Sequence, residues 1–331
     1  KAVVKTIGKV DAYYFNVQDG INTTVLTNET LYAIRDFEAA YTLTVPESKT
    51  ATIDIKGYNV TIGYTITNNG TLKILDSAEE KGLLQPSVTI TNNGELKIYD
   101  TSEEVGTITS ARTIENNGVL EIEKVNVTET TNNNTINNNA SGTLKITDAV
   151  ITAKSGYAVN TSGPLEITGE SQLVSTTYGL YNNYEGLELN GGTIRGVAAG
   201  KNLVINEGTN IVGAGEASVY NGVSNVTITM NGGKITGNTG FYCGAGTANY
   251  IMNGGEIKTT NIGVRLQADS CNFTMNDGYI ESSSYGVYRY GHYSKTTINA
   301  GHVKSTSQSG YYSDRSHSNS SYWSTLIIND G

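Results

Sequence analysis

The sequence predicts an all-β fold, a right-handed parallel β-helix of about a dozen turns. Three observations lead there. A short phrase returns at near-constant spacing, the aliphatic residues of each repeat fall into strand-like alternation, and the composition is rich in turn formers and poor in helix formers.

The phrase is plainest at Met230-Asn231-Gly232-Gly233-Lys234-Ile235. It returns at Met252-Asn253-Gly254-Gly255, Met275-Asn276-Asp277-Gly278 and Ile298-Asn299-Ala300-Gly301, and again at Ile328-Asn329-Asp330-Gly331. The same opening apolar residue is found earlier at Ile74, Ile98, Ile122, Ile146, Ile167, Leu189 and Ile205. Most of the intervals lie between 21 and 25 residues, with outliers of 16 and 30. A period that drifts in this way fits a solenoid that keeps its strands and varies its loops. Leucine-rich repeats share the period, but their L-x-x-L-x-L signature is absent.

Each repeat divides into three strands. The first carries Ile66, Ile90, Ile114, Ile136, Val159, Leu180, Val219, Phe241, Val264, Val287 and Tyr311. The second is a Leu-x-Ile pair, as in Leu72-Lys73-Ile74 and Leu96-Lys97-Ile98. After the glycine turn, the third brings Ile108, Ile151, Leu173, Ile194, Ile211, Ile235, Ile257, Ile280 and Val303. Side chains alternate along a strand, so these positions face inward, while Lys73, Lys97, Glu121, Lys145 and Glu166 face solvent. Asn68, Asn92, Asn116 and Asn138 recur two residues after the inward residue of the first strand, with Asn182 and Asn221 at the same place later. Stacked asparagines are expected to bond their copies above and below as an amide ladder.

Residues 1–60 do not follow the period and are expected to cover the open end of the coil, leaving 61–331 as the β-helix. Asn28-Glu29-Thr30 followed by Leu31, Ile34, Phe37 and Glu38 suggests a short N-capped helix there. The final phrase ends in mid-turn, which predicts that the natural chain continues.

Composition narrows the function. Among 331 residues there are 38 Gly, 3 Pro and 22 Tyr but only one Trp, the profile of a β-rich chain with many turns. A net charge of −9 with no basic run argues against nucleic-acid binding. No apolar stretch approaches the ~20 residues of a membrane helix, so no membrane insertion is expected. Cys243 and Cys271 lack C-x-x-C or histidine partners at metal spacing, which argues against zinc. Because they fall in loops of adjacent turns, they form either a disulfide between turns or a pair of free thiols. Phosphate-loop, H-E-x-x-H, G-x-S-x-G and GGxGxD motifs are all absent, and no cofactor is expected. The sequons at Asn69, Asn160 and Asn225 arise readily in a chain rich in Asn and Thr.

The run TLTVPESKTATIDIKGYNVTI, then TITNNGTLKILDS, then the NGG-x-I turns resembles the right-handed parallel β-helix regions, pectate-lyase-like in fold, of adhesin-like cell-surface proteins of Gram-positive bacteria. The resemblance covers residue 42 onward and rests on structural motifs. It implies an extracellular, cell-surface protein, wall-anchored through a region outside this chain.

The connection between first and second strands points to a binding face. It takes six positions from Ile66 to Leu72, nine from Phe241 to Tyr250 and from Val264 to Phe273, and fifteen from Tyr311 to Leu326. Insertions on one face of a solenoid are where binding is usually built. Tyr181, Tyr220, Tyr242, Tyr288 and Tyr312 follow the inward residue of their strands, with Arg265 in place of Tyr in one turn. The expected ligand-binding residues are Tyr288, Arg289, Tyr290, His292, Tyr293, Tyr312, Arg315, Tyr322 and Trp323, since amphipathic rings beside Arg suit a glycan or a protein partner on a host or neighbouring cell. Mutual stacking between turns is the competing explanation of the tyrosines. For catalysis, the best cluster is Arg289, His292, Asp314, Arg315 and His317, which lacks a second carboxylate. A non-catalytic adhesin-like stalk and binding surface is therefore expected, with a polysaccharide lyase or glycoside hydrolase on the same fold, or a pure spacer, as the alternatives.

Overall fold

In the computed structural model, which describes residues 3–7, 10–14, 16–23, 29–80, 82–86, 88–102, 106–110, 113–213, 215–314 and 324–329, the chain is an all-β parallel solenoid of about 12 turns. It divides into two compact units, Lys1–Ser175 and Thr176–Gly331.

In the first unit each turn contributes one residue to each of three stacked columns. First strands align Leu43, Ile66, Ile90, Ile114, Ile136 and Val159. Second strands align Ile53, Ile74, Ile98, Ile122, Ile146 and Ile167. Third strands align Val60 with Leu84, and Val127 with Ile151 and Leu173. The side chains named in these columns are buried, each contributing about 1.5–3 kcal/mol on leaving water. Between them Lys73, Lys145 and Glu166 are exposed and Lys97 and Glu121 half-exposed, as strand parity requires. The side chain of Ile108, expected in the third column, lies outside the described residues.

The corner that ends each first strand carries the expected amide ladder. Asn68 Nδ2 donates to Asn92 Oδ1 at 2.8 Å, Asn92 to Asn116 at 2.7 Å and Asn116 to Asn138 at 2.7 Å. Each amide also donates to a carbonyl of the following turn, namely Glu95, Val119 and Thr143. These four side chains are buried, so the stacking satisfies groups that would otherwise be costly to desolvate, all but Asn68 Oδ1 at the first rung, which has no hydrogen-bond partner.

Parallel stacking reaches further toward the N-terminus than the sequence period does, beginning with Thr30–Ala33 on Thr50–Asp54. The helix expected from Asn28 to Glu38 is absent from the described part of that segment. Its residues form strands Thr30–Ala33 and Phe37–Ala39, because Leu31, Ala33 and Ala39 bury with a period of two. The helix of this unit is instead Val17–Thr23, capped by Asn16, whose Oδ1 accepts from the Asp19 N–H at 2.7 Å. It buries Val17 and Ile21. Its Gln18 amide exchanges two hydrogen bonds with the Thr44 backbone, at 2.8 and 3.0 Å, and so occupies the open edge of strand Leu43–Val45. Ahead of it, strands Val3–Ile7 and Val10–Tyr14 pair antiparallel, and Val3–Ile7 also lies antiparallel to Thr30–Ala33.

The second unit repeats the plan. First strands align Leu180, Val197, Val219, Phe241, Val264, Val287 and Tyr311. Val197 is the first-strand residue of the turn with the shortest sequence interval, a position the sequence does not single out. The phrase-opening column runs Leu189, Ile205, Met230, Met252, Met275, Ile298 and Ile328. Burial falls off along it: Leu189 to Met275 are buried, Ile298 is half-buried and Ile328 is 61% exposed. Tyr311 and Val303, expected inside, are likewise only half-buried.

The glycine of the phrase has a packing reason. Gly255, Gly278 and Gly301 have φ of 85°, 111° and 92°. A Cβ on each would lie 2.6 Å from the methyl carbon of Met230, Met252 or Met275 of the preceding turn. On the solvent side Asn206, Asn231, Asn253, Asn276 and Asn299 form a second amide ladder with spacings of 2.7–2.9 Å.

Candidate aromatic binding surface

The face of interest lies in the second unit and is set by register. The residue after each inward first-strand position points outward, which aligns Ala198, Tyr220, Tyr242, Arg265, Tyr288 and Tyr312 in consecutive turns. Stacked turns are about 4.8 Å apart, so neighbouring rings must touch. Tyr220 meets Tyr242 edge-on at 5.5 Å between centroids, and Tyr288 stacks on Tyr312 at 5.5 Å. Tyr285 packs against both Tyr288, at 5.3 Å, and Tyr312, at 4.8 Å.

Mutual stacking therefore accounts for part of this column. The ring faces of Tyr288 and Tyr312 meet one another, and Tyr288 keeps its hydroxyl directed at Asp314 Oδ2, 3.4 Å away. Desolvation, followed by the negative field of Asp314, holds the Tyr288 phenol above its ordinary pKa. Tyr312 remains 38% exposed and Tyr293 52%, values that are high for rings of this size and leave contact area open to a ligand.

Arg265 interrupts the rings. Its guanidinium lies over the Tyr242 ring at 4.7 Å and pairs with Glu216 Oε1 at 2.7 Å, while Nε donates to Gln267 Oε1 at 3.1 Å. A planar cation suits such a place, since it stacks as a ring does and also carries charge.

The expected ligand residues are only partly brought together. Tyr288, Tyr290, Tyr293, Tyr312 and His292 lie on the same stretch of turns, with the His292 and Tyr293 rings T-shaped at 6.5 Å between centroids. The His292 N–H is anchored to Asp269 Oδ1 at 2.7 Å. Tyr293 has a positive φ of 55°, a turn position that projects its ring. Arg315, Tyr322 and Trp323, and His317 of the catalytic alternative, lie outside the described residues.

Arg289 differs from the rest. It is 7% exposed and faces inward, at the place where earlier turns carry the corner asparagine. Its guanidinium is surrounded by acceptors of the chain itself. Nε donates to Ser313 Oγ at 3.0 Å, and Nη1 to the Gly291 carbonyl at 2.8 Å and Ser324 Oγ at 2.7 Å. Nη2 donates to Ser313 Oγ and, at 3.4 Å, to the Asp314 carbonyl. The side chain is thus held beneath the surface by the chain's own oxygens.

Two turns earlier the same corner is Cys243, joined to Cys271 by a disulfide with a Cα–Cα distance of 6.5 Å. Both residues are fully buried, and of the two sequence readings this is the bridged one. Disulfides persist in oxidising surroundings. Tyr250 and Phe241 fill the core beside it, stacked at 4.9 Å. The Tyr250 hydroxyl has no hydrogen-bond partner, and burial holds its pKa well above the ordinary value.

Another set of charged groups lies along the outside of the third strands. Lys234 and Lys258 pair with Glu256, and Lys304 with Glu281 at 3.1 Å. Hydrogen bonding to Lys258 lowers the Glu256 pKa, and bonding to Tyr279 and Lys304 lowers that of Glu281. Among the described residues no group of three or more His, Cys, Asp or Glu could hold a metal ion. Among them, too, no helix is long and apolar enough to cross a membrane. No family model matches the chain, and no curated protein or solved structure matches it.

Proposed function

We propose that the chain is a non-catalytic stalk and binding surface of an extracellular, adhesin-like cell-surface protein. It takes a glycan, or a protein on a host or neighbouring cell, at the aromatic turns of its second unit. One observation carries the reading: the outward column Tyr242, Arg265, Tyr288 and Tyr312 runs in register to an exposed Tyr312 ring, and Tyr293, beside His292, keeps a second exposed ring in these turns. Exposed rings on a rigid sheet offer contact area at small entropic cost, and their hydroxyls supply directional bonds. Tyr290 belongs to the same surface, and Arg315, Tyr322 and Trp323 extend it in sequence. The disulfide accords with an oxidising location, and the resemblance of the NNG and NGG turns to Gram-positive surface proteins supports the placement outside the cell.

The test is a glycan array and a cell-attachment assay with the whole chain, wild type and the Tyr288→Ala, Tyr293→Ala, Tyr312→Ala triple variant. The expected result is binding by the wild type and a loss of about tenfold or more in the variant, with its melting transition retained. No ligand on the array and unchanged attachment would leave a spacer. Release of unsaturated products or new reducing ends from polysaccharide would make the chain an enzyme.

A further inference from the structure

The first unit carries a groove that the proposed function does not use. It encloses about 610 Å³, a size suited to a small ligand, and is lined by Val4, Tyr32, Ala33, Ile34, Lys56 and Tyr58. It lies where strand Thr30–Ala33 gives way to Ile34 and where the chain leaves strand Thr50–Asp54 through the turn Ile55–Tyr58. Ile34 is 37% exposed and Tyr58 36%, so one groove leaves two large apolar groups in water.

The turn is held in an unusual way. It is closed by the Tyr58 N–H on the Ile55 carbonyl at 3.0 Å, and its central residues, Lys56 and Gly57, have φ of 49° and 75°. Two central residues at positive φ make a type I′ turn, whose first central place suits Asn and strains Lys. Buried carboxylates fix it: Asp54 Oδ1 accepts the Lys56 N–H at 3.1 Å and Asp76 Oδ1 the Gly57 N–H at 2.8 Å. Just past the turn, Asn59 is tied to Asp36 by bonds of 2.8 and 3.2 Å, which braces the chain beyond Ile34 against the chain beyond Tyr58. The groove is thus formed before any ligand arrives. Yet the chain makes little use of Lys56 itself. Its ammonium lies over the Tyr32 ring at 5.2 Å, and among the described residues no carboxylate pairs with it. Strain of this kind, held in place by its surroundings, is characteristic of ligand sites.

We propose that this groove binds a carboxylate-bearing sugar, the exposed Tyr58 ring taking the apolar face of the pyranose and the Lys56 ammonium its carboxylate. A peptide is a poorer occupant, because strand Thr30–Ala33 is already paired on both sides, with Val3–Ile7 and Thr50–Asp54, and offers no free edge. One lining cation on a chain of net charge −9 is a poor seat for a nucleic acid. The site is separate from the tyrosine surface of the second unit and does not depend on it.

The test is a calorimetric titration of the whole chain with a glucuronic acid disaccharide, its methyl ester and a tripeptide of glutamate. The wild type is expected to bind the acid sugar about tenfold more tightly than the ester or the peptide. Lys56→Asn removes the charge and suits the turn, so it is expected to weaken acid-sugar binding about tenfold, to remove the preference over the ester and to melt no lower than the wild type. Tyr58→Ala is expected to weaken binding about fivefold. No heat with the acid sugar, equal affinity for the ester, or wild-type affinity in Lys56→Asn would overturn the site. Tighter binding of the peptide would also overturn it and give the groove to an acidic protein segment. So would loss of the acid sugar in the second-unit triple variant with Lys56→Asn unchanged, which would move the ligand to the second unit. The expected titrations together with an empty glycan array for the second-unit surface would keep the groove and lose the other reading.

Discussion

The corner after the first strand is built in two ways in this molecule. From Asn68 to Asn138 in the first unit, identical amides stack and each bonds its copy in the next turn. In the second unit, Asn221 bonds within its own loop, to the Val223 carbonyl and N–H. The next positions in register are Cys243, Leu266, Arg289 and Ser313. An amide ladder works only while consecutive turns keep the same short connection, because each Asn reaches a carbonyl at a fixed place in its neighbour. Where connections lengthen to nine and fifteen residues, that carbonyl moves away, and a disulfide or a guanidinium takes over. Regularity is thus the chemistry of the scaffold, and its loss accompanies the face proposed to bind.

The largest expected effect comes from breaking the disulfide. Its cysteines are 28 residues apart, so by the loop-entropy relation Cys243→Ser with Cys271→Ser should cost about 3–4 kcal/mol in denaturant unfolding, with the loss confined to second-unit probes. An equal loss in first-unit probes would remove the contrast. Next, Asn92→Ala takes a buried side chain from the middle of a ladder and removes a bond from three partners, Asn68 Nδ2, Asn116 Oδ1 and the Val119 carbonyl, for about 2–3 kcal/mol. Asn221→Ala, whose bonds are local, should cost nearer 1 kcal/mol in the same measurement. Similar costs for the two would mean that stacking adds nothing.

A smaller change should go the other way. Tyr250 carries a hydroxyl with no partner in the core beside the disulfide, so Tyr250→Phe is expected to stabilise by about 1 kcal/mol in urea unfolding. The pH dependence has a definite sign. The folded Tyr250 pKa is raised by burial, so its contribution is fully present below the ordinary tyrosine value of about 10 and is lost as pH rises through the folded value. In an alkaline titration followed by phenolate absorbance, one tyrosine should ionise only with unfolding, and Tyr250→Phe should remove that step. The smallest effect belongs to the surface stripe. Lys304→Ala should leave the denaturant midpoint nearly unchanged, and at high salt indistinguishable from the wild type.

Much of this was readable in the sequence, for identifiable reasons. Stacked aliphatics recur because each turn needs the same filling, so Ile66, Ile74 and their copies announce the coil. Ile194 and Ile205 mark the short turn between them, but its first-strand residue Val197 is not legible, because Ala198 and Ala199 stand where other turns show Tyr and Asn. Near the N-terminus, a capping signal at Asn28 outweighed the period-two burial of Leu31 and Ala33, while the true cap, Asn16, preceded a helix too short to display a periodicity. Charge alone places Arg289 with the aromatic ligand residues. Its parity says otherwise, since it stands two residues after Val287, as Asn68 does after Ile66. The pairing of Cys243 with Cys271 depends on loop geometry that spacing alone leaves open.

The comparison is tested most directly by hydrogen exchange of the whole chain, oxidised and reduced, resolved turn by turn. The expected result is that amides around Asn69, Asn93 and Asn117 stay protected in both states, whereas those from Gly244 to Tyr250 and from Gln267 to Phe273 lose protection on reduction. Equal loss at both sets of corners, or none at either, would contradict the view that the two regions are held by different chemistry.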